Sequence, residues 1–235
     1  MRGLFVTGTD TGVGKTILSG ALLAAMSAAG EPVCAHKPVV TGLDEPPDGD
    51  WPPDHELLAA AAGMTSEEVS PLRYGPAVSP HLAARLAGEQ IDPADLLARA
   101  RRAGEGKGSL IVEGVGGLLT PLADDYAIRD LAVALGLPVL IAARPGLGTI
   151  NHTLLTLEAA RAVGLDVRAV VLTPWPTEPS VLERSNRETI ARLGDVEVAG
   201  LGHVPSPAAA DLARFGDALP WRRWCPPKIF VPSDS

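Results

Sequence analysis

Leu4-Phe5-Val6-Thr7 is a short apolar run with strand character, and it opens directly onto Gly8-Thr9-Asp10-Thr11-Gly12-Val13-Gly14-Lys15-Thr16. No other segment limits the fold so tightly. A strand, a glycine-rich loop and a helix in that order let successive backbone N–H groups surround an anionic phosphate at a helix N-terminus, where the dipole also favours negative charge. In such a loop the lysine, here Lys15, reaches the β- and γ-phosphates, and the next hydroxyl, here Thr16, binds Mg²⁺. Five residues separate Gly8 from Gly14, one more than is usual, and Thr9 stands at the usual first-glycine position. The flanking context is nevertheless complete. Leu18, Ala21, Leu22, Ala25, Met26 and Ala29 mark one face of an amphipathic helix that Gly30 closes.

Five further apolar runs, at 32–37, 110–113, 138–142, 167–172 and more weakly 196–201, alternate with helical patterns. That order predicts βαβ crossovers, hence a single α/β domain with a mostly parallel central sheet and helices on both faces, which with the glycine-rich loop resembles the P-loop NTPase fold. The helices between the second and third runs are expected to form one long insertion. Ser79-Pro80 and Asp92-Pro93 place a cap before proline, and 65–68 and 180–183 read as capping boxes. Residues 1–220 are expected to make this domain, with 221–235 as a C-terminal tail, either a packed strap or mobile.

A formal charge of −8 removes any general attraction to nucleic acid or an anionic membrane, so anion binding has to be local. Cys34 and Cys225 have no metal-ligand spacing, and the histidines are scattered. No apolar segment reaches the roughly 18 residues of a bilayer span, and the first residues read as strand and cradle instead of a signal sequence. The expectation is a cytoplasmic protein.

In an open parallel sheet the carboxyl ends of the strands form the ligand edge. Lys37 ends the second run there; taken alone it reads as an exposed strand-end lysine, and beside the cradle as a second cation over the phosphates. Glu113 ends the third run before Gly114-Val115-Gly116-Gly117, where a carboxylate suits Mg²⁺, a hard cation held by one or two carboxylates plus substrate phosphates. Asp54 reads as a third ligand or a helix cap, and spacing favours the cap. Gly146-Leu147-Gly148-Thr149-Ile150-Asn151-His152 opens a helix after the fourth run, as a second anion site or an ordinary Asn or Thr cap, evenly balanced.

The cradle, Lys37-Pro38-Val39, Ser79-Pro80-His81, Val112-Glu113-Gly114-Val115-Gly116-Gly117 and Gly148-Thr149-Ile150-Asn151-His152 follow one another in an order that resembles the dethiobiotin synthetase family. The resemblance implies an ATP- and Mg²⁺-dependent ligase that joins CO₂ to 7,8-diaminopelargonate, and a homodimer with the substrate site at its interface. It implies Lys15, Lys37 and Thr11 as catalytic residues. Gly12, Val13, Gly14, Lys15, Thr16, Thr173 and Pro205 would hold the nucleotide, and Thr16, Asp54 and Glu113 the metal. Thr11, Lys37, Thr41, Gly116, Gly148 and Asn151 would hold the substrate. Gly12 stands where many members carry a glutamate, and Thr173 where many carry an asparagine that reads adenine, which leaves base selectivity open among ATP, GTP, CTP and UTP. Three rival readings fit less well, one of them a non-enzymatic nucleotide-binding module, in which Lys37 and Glu113 would lack an evident task. An amidoligase of the cobyrinate-diamide synthase type needs a glutaminase domain, for which the residues after Pro205 leave no room. A partition ATPase switch carries an extra lysine in its loop where this chain has Asp10.

Overall fold

The structure, a computed structural model, describes residues 1–46, 49, 51–106 and 108–225. From the N-terminus, β1 (Arg2–Gly8) leads into α1 (Lys15–Ala28), β2 (Val33–His36) and the two-residue β3 (Val39–Val40). The insertion follows, with α2 (Asp54–Ala62), α3 (Ser66–Val69), β4 (Leu72–Arg73), α4 (Pro80–Leu86) and α5 (Pro93–Gly104). After β5 (Ser109–Glu113) come the hairpin β6 (Pro121–Ala123) and β7 (Tyr126–Ala127), then α6 (Ile128–Leu135), β8 (Val139–Ala143) and α7 (Thr149–Arg161). The last elements are β9 (Val167–Trp175), α8 (Val181–Gly194), β10 (Glu197–Gly202), α9 (Ala209–Asp217) and α10 (Trp221–Trp224).

Six strands form the central sheet in the order β10-β9-β8-β1-β5-β2, and every pairing in it is parallel. From β1 the chain steps to the edge at β2, returns to β5, then crosses to β8 on the other side and moves outward. The reversal beside β1 is a topological switch point, where the loops after neighbouring strands part and leave a crevice at the carboxyl edge. The loops after β1, β5 and β8 therefore surround one place.

Helices cover both faces, so successive strand residues are buried on opposite sides. Leu4, Val6, Ile111, Leu140, Ala142 and Val171 join one core with α1, α2, α9 and α10. Phe5, Leu110, Val112, Val139, Ile141 and Leu172 join a second core with α5 to α8. This is why the strands read as unbroken apolar runs. The amphipathic expectation for α1 fails in an informative way: every residue from Leu18 to Met26 is buried, while Ala29 is exposed. The sheet, α2 and α9 enclose the helix. Gly216 permits the approach of α9, since a Cβ there would lie 2.0 Å from the Ala21 carbonyl oxygen.

The expected capping boxes form at Thr65/Glu68 and Ser180/Glu183, and Asp92 accepts from the Ala94 N–H. Ser79 is the N-cap residue of α4 but makes no side-chain cap bond. Trp221, Trp224 and Cys225 are buried in the α1 core, and Arg2 donates to the Cys225 carbonyl at 2.9 Å. The rest of the expected tail, 226–235, lies outside the described residues.

Candidate active site

Strand register builds the centre of the site. Val6 of β1 pairs with Glu113 of β5, and His36 of β2 pairs with Val112, so Lys37 emerges level with Glu113. Lys37 is 3% exposed, not the exposed strand-end lysine that its position alone suggested, and Glu113 is fully buried. The Lys37 Nζ donates to Glu113 Oε1 at 2.6 Å and to Asp54 Oδ2 at 2.5 Å. Thr16, on the first turn of α1, donates its hydroxyl to the same Glu113 oxygen at 2.8 Å. Asp54 is the first residue of α2, with Pro53 in the N-cap position and no side-chain cap bond. The cap reading of Asp54 is thereby overturned: its carboxylate turns inward to Lys37.

Burying ions costs several kcal/mol each unless they are closely paired. Burial by itself would lower the Lys37 pKa, but the charges and hydrogen bonds of Asp54 and Glu113 reverse this and raise it above the ordinary lysine value. Burial likewise pushes the Asp54 carboxyl up, and Lys37, with the Thr16 hydroxyl and Lys15, more than offsets it and holds the group below its usual value. Lys15 differs. Burial dominates and lowers it to about 8, against the opposing pull of Glu113, while its Nζ donates to the Asp10 carbonyl at 2.8 Å. A bound phosphate favours the charged amine. Nucleotide affinity should therefore hold below pH 8 and fall as pH rises through about 8, with proton uptake on binding above it. Calorimetry in buffers of different ionisation enthalpy measures that proton; affinity that is flat from pH 7 to beyond the Lys15 midpoint would contradict it.

The donor set fits a magnesium ion. Glu113 Oε2 is buried without a hydrogen-bond partner, Asp54 and Thr16 add hard oxygens beside it, and no cluster of three His, Cys, Asp or Glu is present among the described residues. Two carboxylates and a hydroxyl next to a phosphate cradle are the set expected when substrate phosphates complete the shell.

The cradle takes its shape from left-handed glycines, Gly12 at φ +70° and Gly14 at φ +90°, conformations that glycine adopts without steric cost. Thr9 N–H bonds to the Ala142 carbonyl at 3.0 Å, which ties the loop to β8. Thr173 is buried against the loop, since a Cβ on Gly14 would meet its Cγ2 at 2.6 Å. Val13 is buried, while Thr11 is exposed with its N–H on Asp10 Oδ1 at 2.7 Å.

Among the described residues no side-chain hydrogen bond or ion pair joins the remaining sequence candidates to Lys37, Asp54 or Glu113. Thr41 follows β3, and Gly116, at φ +62°, follows β5 in a turn where the Thr120 hydroxyl accepts from Gly117 N–H at 2.9 Å. Gly148 is the N-cap residue of α7 and makes no side-chain cap bond, so the ordinary Asn or Thr cap is not what this segment provides. Asn151 is exposed in the first turn of α7, and Pro205 is exposed beyond β10. Two residues escaped the sequence reading. Arg144, just past β8, donates from Nη2 and Nε to the Gly12 carbonyl at 2.8 and 3.2 Å. Asn186 Nδ2 donates to the carbonyls of Pro145 and Gly146 at 2.9 and 3.1 Å. The strand-end rule that singled out Lys37 and Glu113 applies equally to Arg144; nothing local marks Asn186.

Comparison with known proteins agrees with this geometry. A family model described as an AAA domain matches residues 2–211. The ATP-dependent dethiobiotin synthetase of Anaeromyxobacter sp. (strain Fw109-5) is 44% identical over 208 residues, 83% of this chain and 91% of that protein. The synthetase of Mycobacterium sp. (strain KMS) is 40% identical, covering 92% of this chain and 94% of its own length. That of Bacillus subtilis subsp. natto is 36% identical over 86% of this chain and 87% of its own length. With a P-loop at the switch point of a parallel sheet and this identity along most of its length, the chain belongs to the ATP-dependent dethiobiotin synthetase family.

Proposed function

We propose that the chain closes the ureido ring of dethiobiotin from 7,8-diaminopelargonate, CO₂ and ATP. The observation that carries this is the buried Lys37 beside the phosphate loop, its ammonium held by Asp54 and Glu113. One amine of the diamine adds to CO₂ and loses a proton, giving a carbamate. The carbamate oxygen attacks the γ-phosphorus, ADP leaves, and the second amine then displaces phosphate from the mixed anhydride. Negative charge accumulates at each stage, and Lys15 and Lys37 stabilise it on the carbamate and the transferring phosphoryl group. Bound at Thr16, Asp54 and Glu113, Mg²⁺ would neutralise the nucleotide phosphates. Lys37 shares both carboxylates with that role. Thr11 and Thr41 would position the carbamate end; Gly116 and Gly148 would let backbone approach the substrate. Gly12 to Thr16 would hold the phosphates, with Thr173 and Pro205 on the nucleotide side.

The substrate carboxylate lies several methylenes from its amines, and the proposed far site is the α7 N-terminus at Asn151 of a second subunit. Apolar exposure supports that interface. Leu147 is 92% exposed beside Gly148, and Leu155, Val181 and Leu182 are also exposed. Ile150 packs against the core, so a charge there would disturb the fold; Leu147 is the better probe. Leu147→Glu should give monomers that bind nucleotide normally and bind the diamine poorly, read by light scattering with separate titrations. A monomer with normal diamine binding would contradict the shared site.

Phosphate release separates the ligase from an ATPase switch. Purified protein with Mg²⁺ and ATP should release almost none until diamine and bicarbonate are both added. Release that ignores the diamine would sink the reading.

No helix among the described residues is long and apolar enough to cross a membrane. Within the proposal the protein acts in the cytoplasm on small molecules, without a nucleic-acid or membrane partner.

A further inference from the structure

We infer that Arg144 is a positioning residue for the phosphate cradle: by gripping the Gly12 carbonyl it aims the Val13 N–H into the phosphate site. The two donors of its guanidinium converge on one oxygen, at 2.8 and 3.2 Å, from a side chain that is otherwise exposed. Among the described residues Arg144 forms no ion pair with a carboxylate, so its charge is directed to the loop. A peptide unit is planar and trans, and its C=O and the following N–H point in opposite directions. Fixing the Gly12 oxygen outward therefore fixes the Val13 N–H inward.

Gly12 needs such a grip. At φ +70° it sits in a region that glycine enters and leaves freely, and without a side chain it offers only its backbone as a handle. A Cβ added to Gly12 would come within 3.3 Å of Arg144 Nη2, so the bare glycine also makes room for the guanidinium. The arginine is itself anchored. It follows Ala143 at the end of β8, where Ala142 accepts from Thr9 N–H, and Asn186 holds the next two carbonyls, of Pro145 and Gly146. One rigid strand end thus holds the loop near its start and at its apex, and preorganised amides cost no reordering when the phosphate arrives.

The inference rests on ATP being the co-substrate, and the test keeps the two apart. Binding of the non-hydrolysable ATP analogue AMP-PNP with Mg²⁺ is measured by calorimetry for wild type, Arg144→Met and Arg144→Lys, with melting temperatures and steady-state kinetics alongside. Wild type that fails to bind the analogue would overturn the ATP reading itself. Given binding, Arg144→Met should weaken it about tenfold, the loss of a charge-assisted bond at an exposed site. Its melting temperature should barely move, and KM for ATP should rise far more than kcat falls. Arg144→Lys, with one ammonium for the same carbonyl, should lie between. Unchanged affinity in Arg144→Met overturns the inference, and so does a fall in kcat at constant KM, which would mean that the guanidinium acts on the reacting phosphoryl group. Should Arg144→Met fail to fold, Arg144→Lys decides alone: a wild-type KM for ATP in that variant contradicts the clamp.

Discussion

Lys37→Ala lowers turnover by about two to four powers of ten, because in the proposed reaction the ammonium stabilises charge that develops on the carbamate and the transferring phosphoryl group. The same substitution also lowers the stability of the free protein. A lysine on a solvent-facing ligand edge would be removable at no such cost, but Lys37 is 3% exposed and pairs with a fully buried Glu113. Removing one member of a buried pair strands the other charge, which costs about 3 kcal/mol. Asp54, its second partner, has a side chain 48% exposed and can recover water, so Glu113 carries most of the penalty. Urea unfolding of three proteins checks this: Lys37→Ala should be least stable, and Lys37→Ala with Glu113→Gln should recover much of the loss while staying inactive. Equal stability of wild type and Lys37→Ala would show that Glu113 is not held by Lys37.

Glu113→Gln alone raises the magnesium concentration required for nucleotide binding by about two powers of ten, since a neutral amide loses the attraction to a divalent cation at a poorly hydrated site. The fold should survive, because the amide oxygen still accepts from the Thr16 hydroxyl and Lys37 keeps Asp54. A magnesium titration of fluorescent-nucleotide binding reads the shift directly. An unchanged midpoint would remove Glu113 from the metal site.

What was legible in the sequence had a local cause. The cradle declares itself through glycine, lysine and threonine spacing, and Lys37 and Glu113 through their place at the ends of apolar runs. Spacing alone favoured the cap for Asp54 over the metal-ligand reading because nothing in its neighbourhood says that α2 will begin at that residue and pack against α1 with the carboxylate inward. The enclosure of α1 on all sides depends on α9, which begins only at Ala209. Arg144 was within reach of the strand-end rule, yet its role appears only when β1 and β8 are seen as neighbours, with Thr7 paired to Ile141 and Gly8 to Ala142. The two-residue strands β3 and β4 are too short for periodicity to announce.

The central claim is that Lys15, Lys37 and the cradle serve ring closure of a diamine and not ATP hydrolysis for another end. Purified protein incubated with 7,8-diaminopelargonate, ¹³C-bicarbonate, Mg²⁺ and ATP, and analysed by mass spectrometry, tests it in one measurement. The account predicts dethiobiotin carrying a single labelled carbon, formed in step with ADP and phosphate and abolished by Lys37→Ala. ADP accumulating without labelled dethiobiotin would contradict it.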